Sequence, residues 1–267
     1  MAVQSKFLAV GAFVPWARGG AGAVATQAFA EITYGNRGLD LLESGLSPQA
    51  AIDALITADE MREHRQVGIV AADGASATFT GSDCFDHAVG VSGENFAAQG
   101  NILTSPEVPG AMATAFTEGG GNLATRLLAA LVAGQEAGGE KRGMESAALL
   151  VVRPGGGYGG NNDRWLDLRV DHSERPIEDL SRLLDLHTLY FGRTAAENLV
   201  PFDDLTRGKV KMQLRDMGWW DTADSVEDNL QAWMGWHNLE ERWAGPDRID
   251  PVVLEQLRKS ARRELES

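Results

Sequence analysis

Strand-like runs in this chain come in pairs joined by turns, and helix-like runs come in pairs as well. QVGIVA and ASATFTG meet at Asp73-Gly74, a dipeptide that suits the positive φ angles of a tight hairpin turn. HAVGVSG and NFAAQGNIL make a second strand-like pair. ESAALLVVRP reads as a central strand. RWLDLRVD returns from the turn GGGYGGNND, with Trp165, Leu166, Leu168 and Val170 set against Arg164, Asp167, Arg169 and Asp171. Ahead of these, VQSKFLAVGAFV and AGAVATQ flank the turn PWARGG, the pattern of a hairpin of buried strands. A short helix is expected to stop at Gly45, and Ser47-Pro48 sit at cap and first-turn positions of the next. Ser105-Pro106 and Asn122 open two more, and Pro176 starts PIEDLSRLLDLHTLYF. Strands and helices do not alternate singly, which excludes a doubly wound parallel sheet. The expected fold is α+β: two stacked antiparallel sheets between two helical layers, an αββα sandwich.

Composition changes along the chain. Of 31 glycines, 26 precede residue 164, whereas Trp219, Trp220, Trp233, Trp236 and Trp243 crowd the end. A sandwich domain over residues 1–200 and a small helical domain over 201–267 are therefore expected, linked through 192–207. A hydrophobic fraction of 43% suffices for a real core, and the net charge of −14 argues against nucleic-acid or anionic-membrane partners. No apolar run reaches the length of a spanning helix. Lys6 ahead of an apolar run mimics an export signal, but Gly11, Pro15, Trp16 and Arg18 break that run. A lone cysteine, Cys84, allows no internal disulfide and fits a reducing compartment. A cytoplasmic location is expected.

Several long motifs then resemble one family in order: SKFLAVGAFVPWARGGAGAVATQA, YGNRGLDLL, AAQGNIL, GEKRGMESAALLVVRPGGGYGGNNDRWLDLRVD and LLDLHTLYF are similar to the domain of unknown function 1028 family, over nearly all of residues 2–192. That family is similar to the N-terminal-nucleophile hydrolases, so the resemblance implies their four-layer αββα sandwich and cleavage of a small amide or peptide bond, without a cofactor. DNLQAWMGWHNLEERWAGPDRIDPVVLEQL resembles a peptidoglycan-binding-like domain that some members carry. Members usually begin with an extra strand bearing the nucleophile in the hydrolases. This chain begins inside the second strand, which makes catalysis an open expectation.

The candidate site residues follow. An N-terminal nucleophile uses its own amine as base, and neither Met1 nor Ala2 has a nucleophilic group. Ser5 is the nearest hydroxyl, and Lys6 beside it points to the other face of a strand. Thr26 and Gln27 end the second strand of the opening hairpin, where one of them is expected to line the cleft. Gln99-Gly100-Asn101 closes a strand; it reads as a turn or, with Asn101 as a donor to a developing oxyanion, as part of the site. The resemblance favours the site. Lys141 and Arg142 could grip a carboxylate or lie as plain surface charge. Asn162 and Asp163 follow the glycine run, which lacks the ending of a phosphate-binding loop. Asp83, Cys84, Asp86 and His87 fit no zinc spacing, so no metal is expected. Trp233 and Trp236 of the tail offer a sugar-stacking face or a core.

Two functions compete. One is a hydrolase acting on a small-molecule or peptide substrate. The other is a non-catalytic protein that binds a ligand or a peptidoglycan fragment on the same fold. A homo-oligomer paired through edge strands is a third, weaker reading.

Overall fold

The computed structural model describes residues 1–266. It has two compact units, Met1–Leu184 and a second beginning at Asp185. The chain opens with β1 (Ala2–Ser5), β2 (Pro15–Arg18) and β3 (Gly22–Ala28), followed by α1 (Thr33–Glu43) and α2 (Pro48–Thr57). Then come β4 (Arg65–Ala71), β5 (Ser76–Thr80), β6 (Val89–Gly93), β7 (Phe96–Gly100), α3 (Val108–Glu118) and α4 (Leu123–Glu136). The unit closes with β8 (Ser146–Val152), β9 (Arg164–Val170) and most of α5 (Pro176–Phe191).

All strand pairs are antiparallel. One sheet runs β2-β3-β4-β5, a second β1-β8-β9, and β6-β7 stands as a separate hairpin. On the four-stranded sheet, alternate residues Val24, Val67 and Ile69 meet Leu39, Ile52 and Leu55 of α1 and α2 in one core. On the three-stranded sheet, Leu149, Val151 and Leu166 meet Leu128 and Leu131 of α4 and Leu180 of α5 in another. β4 and β8 are buried along most of their length, and in each the residues that face the helix pair are alternate ones, as the pleat requires. A mixed α and β fold with antiparallel sheets is therefore present.

The opening ribbon departs from expectation. Residues 3–14 and 21–27 were expected to pair across the turn PWARGG. Instead Ala2–Ser5 pairs with β8, and Pro15–Arg18 is itself a strand paired with β3. Trp16 explains the second point: its ring packs so closely on Gly35 of α1 that a Cβ there would meet it at 2.2 Å, which holds this segment in the sheet. The stretch between crosses from one sheet to the other. Gly11 lies where an added Cβ would come within 2.5 Å of Ala148 Cβ, and Val10 and Val14 are buried on either side of it. An apolar run reads alike as strand or as buried link. α3 also starts later than Ser105-Pro106, at Val108.

The second unit holds the end of α5, then β10 (Val200–Pro201), α6 (Asp204–Asp216), α7 (Val226–Trp236), β11 (Arg248–Ile249) and α8 (Pro251–Glu266). Its core gathers Phe202, Val210, Leu214, Leu230, Trp233, Ile249, Val253 and Leu257. It takes in the residues from 185 to 200 that the sequence-based boundary leaves in the first domain. No helix among the described residues is long and apolar enough to cross a membrane.

Candidate functional site

The inner face of the four-stranded sheet is built from small residues. Where Val24 and Thr26 of β3 point to the helices and are fully buried, Ala23, Ala25 and Gln27 point the other way and line a cavity of about 680 Å³. Gly68 and Val70 of β4 join them, β1 and β7 form further walls, and Met112, Phe116, Leu127 and Leu131 supply an apolar side from α3 and α4. Mostly apolar walls with a few convergent polar groups are the usual form of a small-ligand site.

The polar groups are amides. Gln66 is completely buried. Its Nε2 donates to the Gly100 carbonyl at 2.9 Å and to Thr80 Oγ1 at 3.0 Å, and its Oε1 accepts from Gln27 Nε2 at 2.9 Å and Asn101 Nδ2 at 3.3 Å. Gln99 Nε2 reaches the Ala25 carbonyl at 3.3 Å and Gln27 Oε1 at 3.4 Å. The Gln99 amide lies against bare backbone: a Cβ on Gly68 would stand 2.3 Å from Gln99 Oε1. That oxygen and Gln135 Oε1, both on residues of the cavity wall, are buried and have no partner among the described residues. A buried acceptor without a donor is costly, and a ligand N–H would relieve that cost.

At one rim, Ser5 Oγ donates to Glu140 Oε2 at 2.9 Å, and the Lys6 backbone N–H donates to the same oxygen at 2.8 Å. Arg142 Nε holds the other carboxylate oxygen. Lys6 Nζ turns away to Glu145 at 2.8 Å, and with His172 it holds the Glu145 carboxyl below its usual range.

The expected site residues thus divide. Ser5, Gln27, Gln99, Gly100, Asn101 and Arg142 are brought together around the cavity. Thr26 is not: strand alternation turns it to the helix side, where its hydroxyl donates to the Glu31 carbonyl at 3.0 Å. Lys141 is exposed and contributes its backbone N–H to the Ile102 carbonyl. Arg142 grips a carboxylate of its own chain rather than standing free. Asn162 and Asp163 tie hairpin tips together: Asn162 Oδ1 accepts from the Arg164 N–H at 2.8 Å, and Asp163 accepts from Gly19 N–H at 3.2 Å and Gly155 N–H at 3.3 Å. Burial pushes the Cys84 thiol pKa up, the opposite of what a nucleophile needs. Gln66 escaped the sequence reading because it stands at the start of QVGIVA, beside Arg65, where a polar residue reads as the ordinary end of a strand.

In the second unit, Trp233 is fully buried and belongs to the core, which corrects its reading as a ligand-facing ring. Trp236 is 74% exposed, and its ring lies 5.7 Å from that of Trp219. Trp219, Trp220, Asp221 and Thr222 line an open depression nearby. His237, packed against the Trp233 ring, has its pKa lowered by burial.

The family of unknown function DUF1028 matches residues 1–180. The chain belongs to the DUF1028 family. The model described as "Putative peptidoglycan binding domain" matches residues 190–257. Among solved structures, this DUF1028 chain is similar to protein SPO2555 from Silicibacter pomeroyi, also of family DUF1028, at 33% identity and TM-score 0.64, over 70% of this chain and 79% of that one. No curated protein matches it.

Proposed function

We propose that this DUF1028 protein binds an amide-bearing small molecule or peptide in the cavity of its first unit. The carrying observation is the pair of buried oxygens without a partner among the described residues, Gln99 Oε1 and Gln135 Oε1, in a mostly apolar wall. They call for a ligand with N–H donors and an apolar body. Helix pairs on the outer faces of the two sheets support assigning the unit to the αββα sandwich of the N-terminal-nucleophile hydrolases. The test is calorimetry of the full chain with N-acetyl-leucine amide. Binding that weakens at least about tenfold in Gln99→Leu supports the proposal; no binding, or equal binding by the variant, removes it.

Hydrolysis of the bound amide is the second reading. It is favoured by Ser5 Oγ at the cavity rim, hydrogen-bonded to a carboxylate that could accept its proton. Release of ammonia with N-acetyl-leucine, or of acetate with leucinamide, in the same samples, lost in Ser5→Ala, would support it; intact ligand after long incubation leaves binding alone.

For the second unit the family match favours a peptidoglycan fragment, with Trp236 and Trp219 as the exposed aromatic pair. Rings with open faces suit stacking on a sugar. Full-length Trp236→Ala is expected to lose retention on sedimented peptidoglycan. Unchanged retention would move the contact elsewhere.

A further inference from the structure

The second unit carries a concavity of its own. The turn after α6 and one face of α7 enclose a depression of about 530 Å³. Asn229 and Ala232 line it from α7, and Trp236 follows on the same helix face at the i, i+3, i+7 spacing. Trp219 joins the two features, since it lines the depression and its ring lies 5.7 Å from that of Trp236. The exposed aromatic pair thus adjoins a hollow whose charged lining residues, Asp221 and Asp224, are both acidic.

The loop that bears these carboxylates is held in place. Asn229 is buried; its Oδ1 accepts from the Asp221 N–H at 2.7 Å, and its Nδ2 donates to the carbonyls of Asp221 and Ser225 at 3.1 and 2.8 Å. Ser225 and Asp228 close the start of α7 with a capping box. Asp221 Oδ1 accepts from the Ala223 N–H at 2.9 Å. The cations Arg193, Arg207 and Lys259 of this unit pair with Glu241, Glu227 and Glu255. Neither Asp221 nor Asp224 forms an ion pair among the described residues. Lys211 Nζ lies over the Trp220 ring, 4.7 Å from its centroid, so a ring that lines the depression already holds one ammonium.

Unneutralised carboxylates on a fixed loop, beside indole rings, repel an anion and suit a cation. The carboxylates offer charge-assisted acceptors, and the rings offer their electron-rich faces. We propose that this depression binds a primary ammonium group borne by the peptidoglycan fragment that stacks on Trp219 and Trp236. This rests on the peptidoglycan reading of the second unit and narrows it to an amine-bearing part of the polymer. That ammonium has two sources: an amino sugar without its acetyl group, or the side chain of a diamino acid in a peptide. Carboxylate- or phosphate-bearing parts are repelled at the same place.

The test sediments the full chain with peptidoglycan, either intact or treated with acetic anhydride to cap its amines. Retention on the intact polymer, and at least about tenfold weaker retention on the capped one, are expected. Asp221→Asn with Asp224→Asn leaves an amide oxygen to accept from the Ala223 N–H, and should bring retention on intact polymer down to the capped level. Should that variant unfold, the capped polymer still decides. Glu60→Gln with Glu94→Gln removes two negative charges from exposed places in the first unit and should leave retention unchanged. Equal retention on both polymers overturns the proposal, as does an equal loss in both double variants, which assigns the effect to net charge; either leaves the peptidoglycan reading intact. No retention on either polymer removes both. Competition by excess tetraglucosamine, and not by its N-acetylated form, places the ammonium on a sugar. Competition by Nα-acetyl-lysine amide places it on a peptide side chain, and competition by neither overturns the proposal.

Discussion

Arg242 in the second unit and Gln99 in the first are both polar side chains turned inward, and their surroundings differ. Arg242 is 6% exposed, and each of its nitrogens is used: Nη1 by Asp250 at 2.8 Å, and Nε and Nη2 by the carbonyls of Leu189 and Thr188 at 2.5 Å each. Asp250 in turn accepts from the Val252 N–H at 2.8 Å. Gln99 makes two long hydrogen bonds and leaves its oxygen buried against Gly68 without a partner among the described residues, in the wall of a cavity. A closed polar set holds a fold together, whereas an open one beside empty space is where a partner is missing.

The strongest way to break this contrast is to open the closed set. Asp250→Ala leaves the Arg242 guanidinium buried without its counter-charge, and should destabilise the second unit by about 3–5 kcal/mol in urea unfolding. Replacing both, as Arg242→Met with Asp250→Leu, should cost much less, because no charge is then stranded. Similar losses in the single and double variants would mean that the carbonyl contacts, not the ion pair, hold the unit.

The contrast follows location rather than unit. Asp59 in the first unit is also closed: Arg65 Nε lies 2.8 Å away, the Met61 N–H donates at 2.8 Å, and the Tyr34 hydroxyl donates at 2.8 Å. Arg65, with these donors, holds the Asp59 pKa down at about 2. Because the folded value lies below the unfolded one, this contribution is present above about pH 4 and drains away as the pH falls toward 2. It amounts to about 2 kcal/mol. Asp59→Asn should flatten that part of the acid-stability profile, read as the difference in unfolding free energy between pH 5 and pH 2.5. An unchanged profile would show that other carboxylates govern acid stability. The Tyr34 hydroxyl, buried beside Asp59, is shifted upward in pKa and stays a donor throughout.

Much of the scaffold was legible because its signals are local. Asp73-Gly74 makes the turn it announces, with Gly74 at φ +91°. Asn122 caps α4 by accepting from the Thr125 N–H at 3.0 Å, and Ser47 caps α2. The site was only half legible. Gln27, Gln99 and Asn101 could be suspected from their places at strand ends, but the cavity depends on which strands pair, and pairing is not local. The sequence reading put 3–14 against 21–27; the Gly11 contact with Ala148 and the placing of β1 beside β8 come from the far side of the chain. Thr26 and Gln27 differ only in which face of one strand they occupy, and a shift of one residue exchanges them. Trp233 and Trp236 lie on one helix three residues apart, yet one fills a core and the other is exposed. Residue type alone could not separate them.

The smallest expected effect sharpens the comparison most. If Gln99 Oε1 is an unmet acceptor, removing it should not cost what a closed polar group costs. Gln99→Leu gives up two weak bonds, to the Ala25 carbonyl and to Gln27, and also removes a buried oxygen that has nothing to accept from. These changes oppose one another, so the stability of the first unit should move by no more than about 1 kcal/mol in either direction. Gln66→Leu, placed at the centre of the amide cluster, strands the Gly100 carbonyl as well as the Gln27 and Asn101 donors, and should destabilise by more. Urea unfolding of the two variants side by side reads the difference. A Gln99→Leu loss as large as that of Gln66→Leu would mean that Gln99 belongs to the scaffold, and the cavity would then lose the residue on which its ligand chemistry chiefly depends.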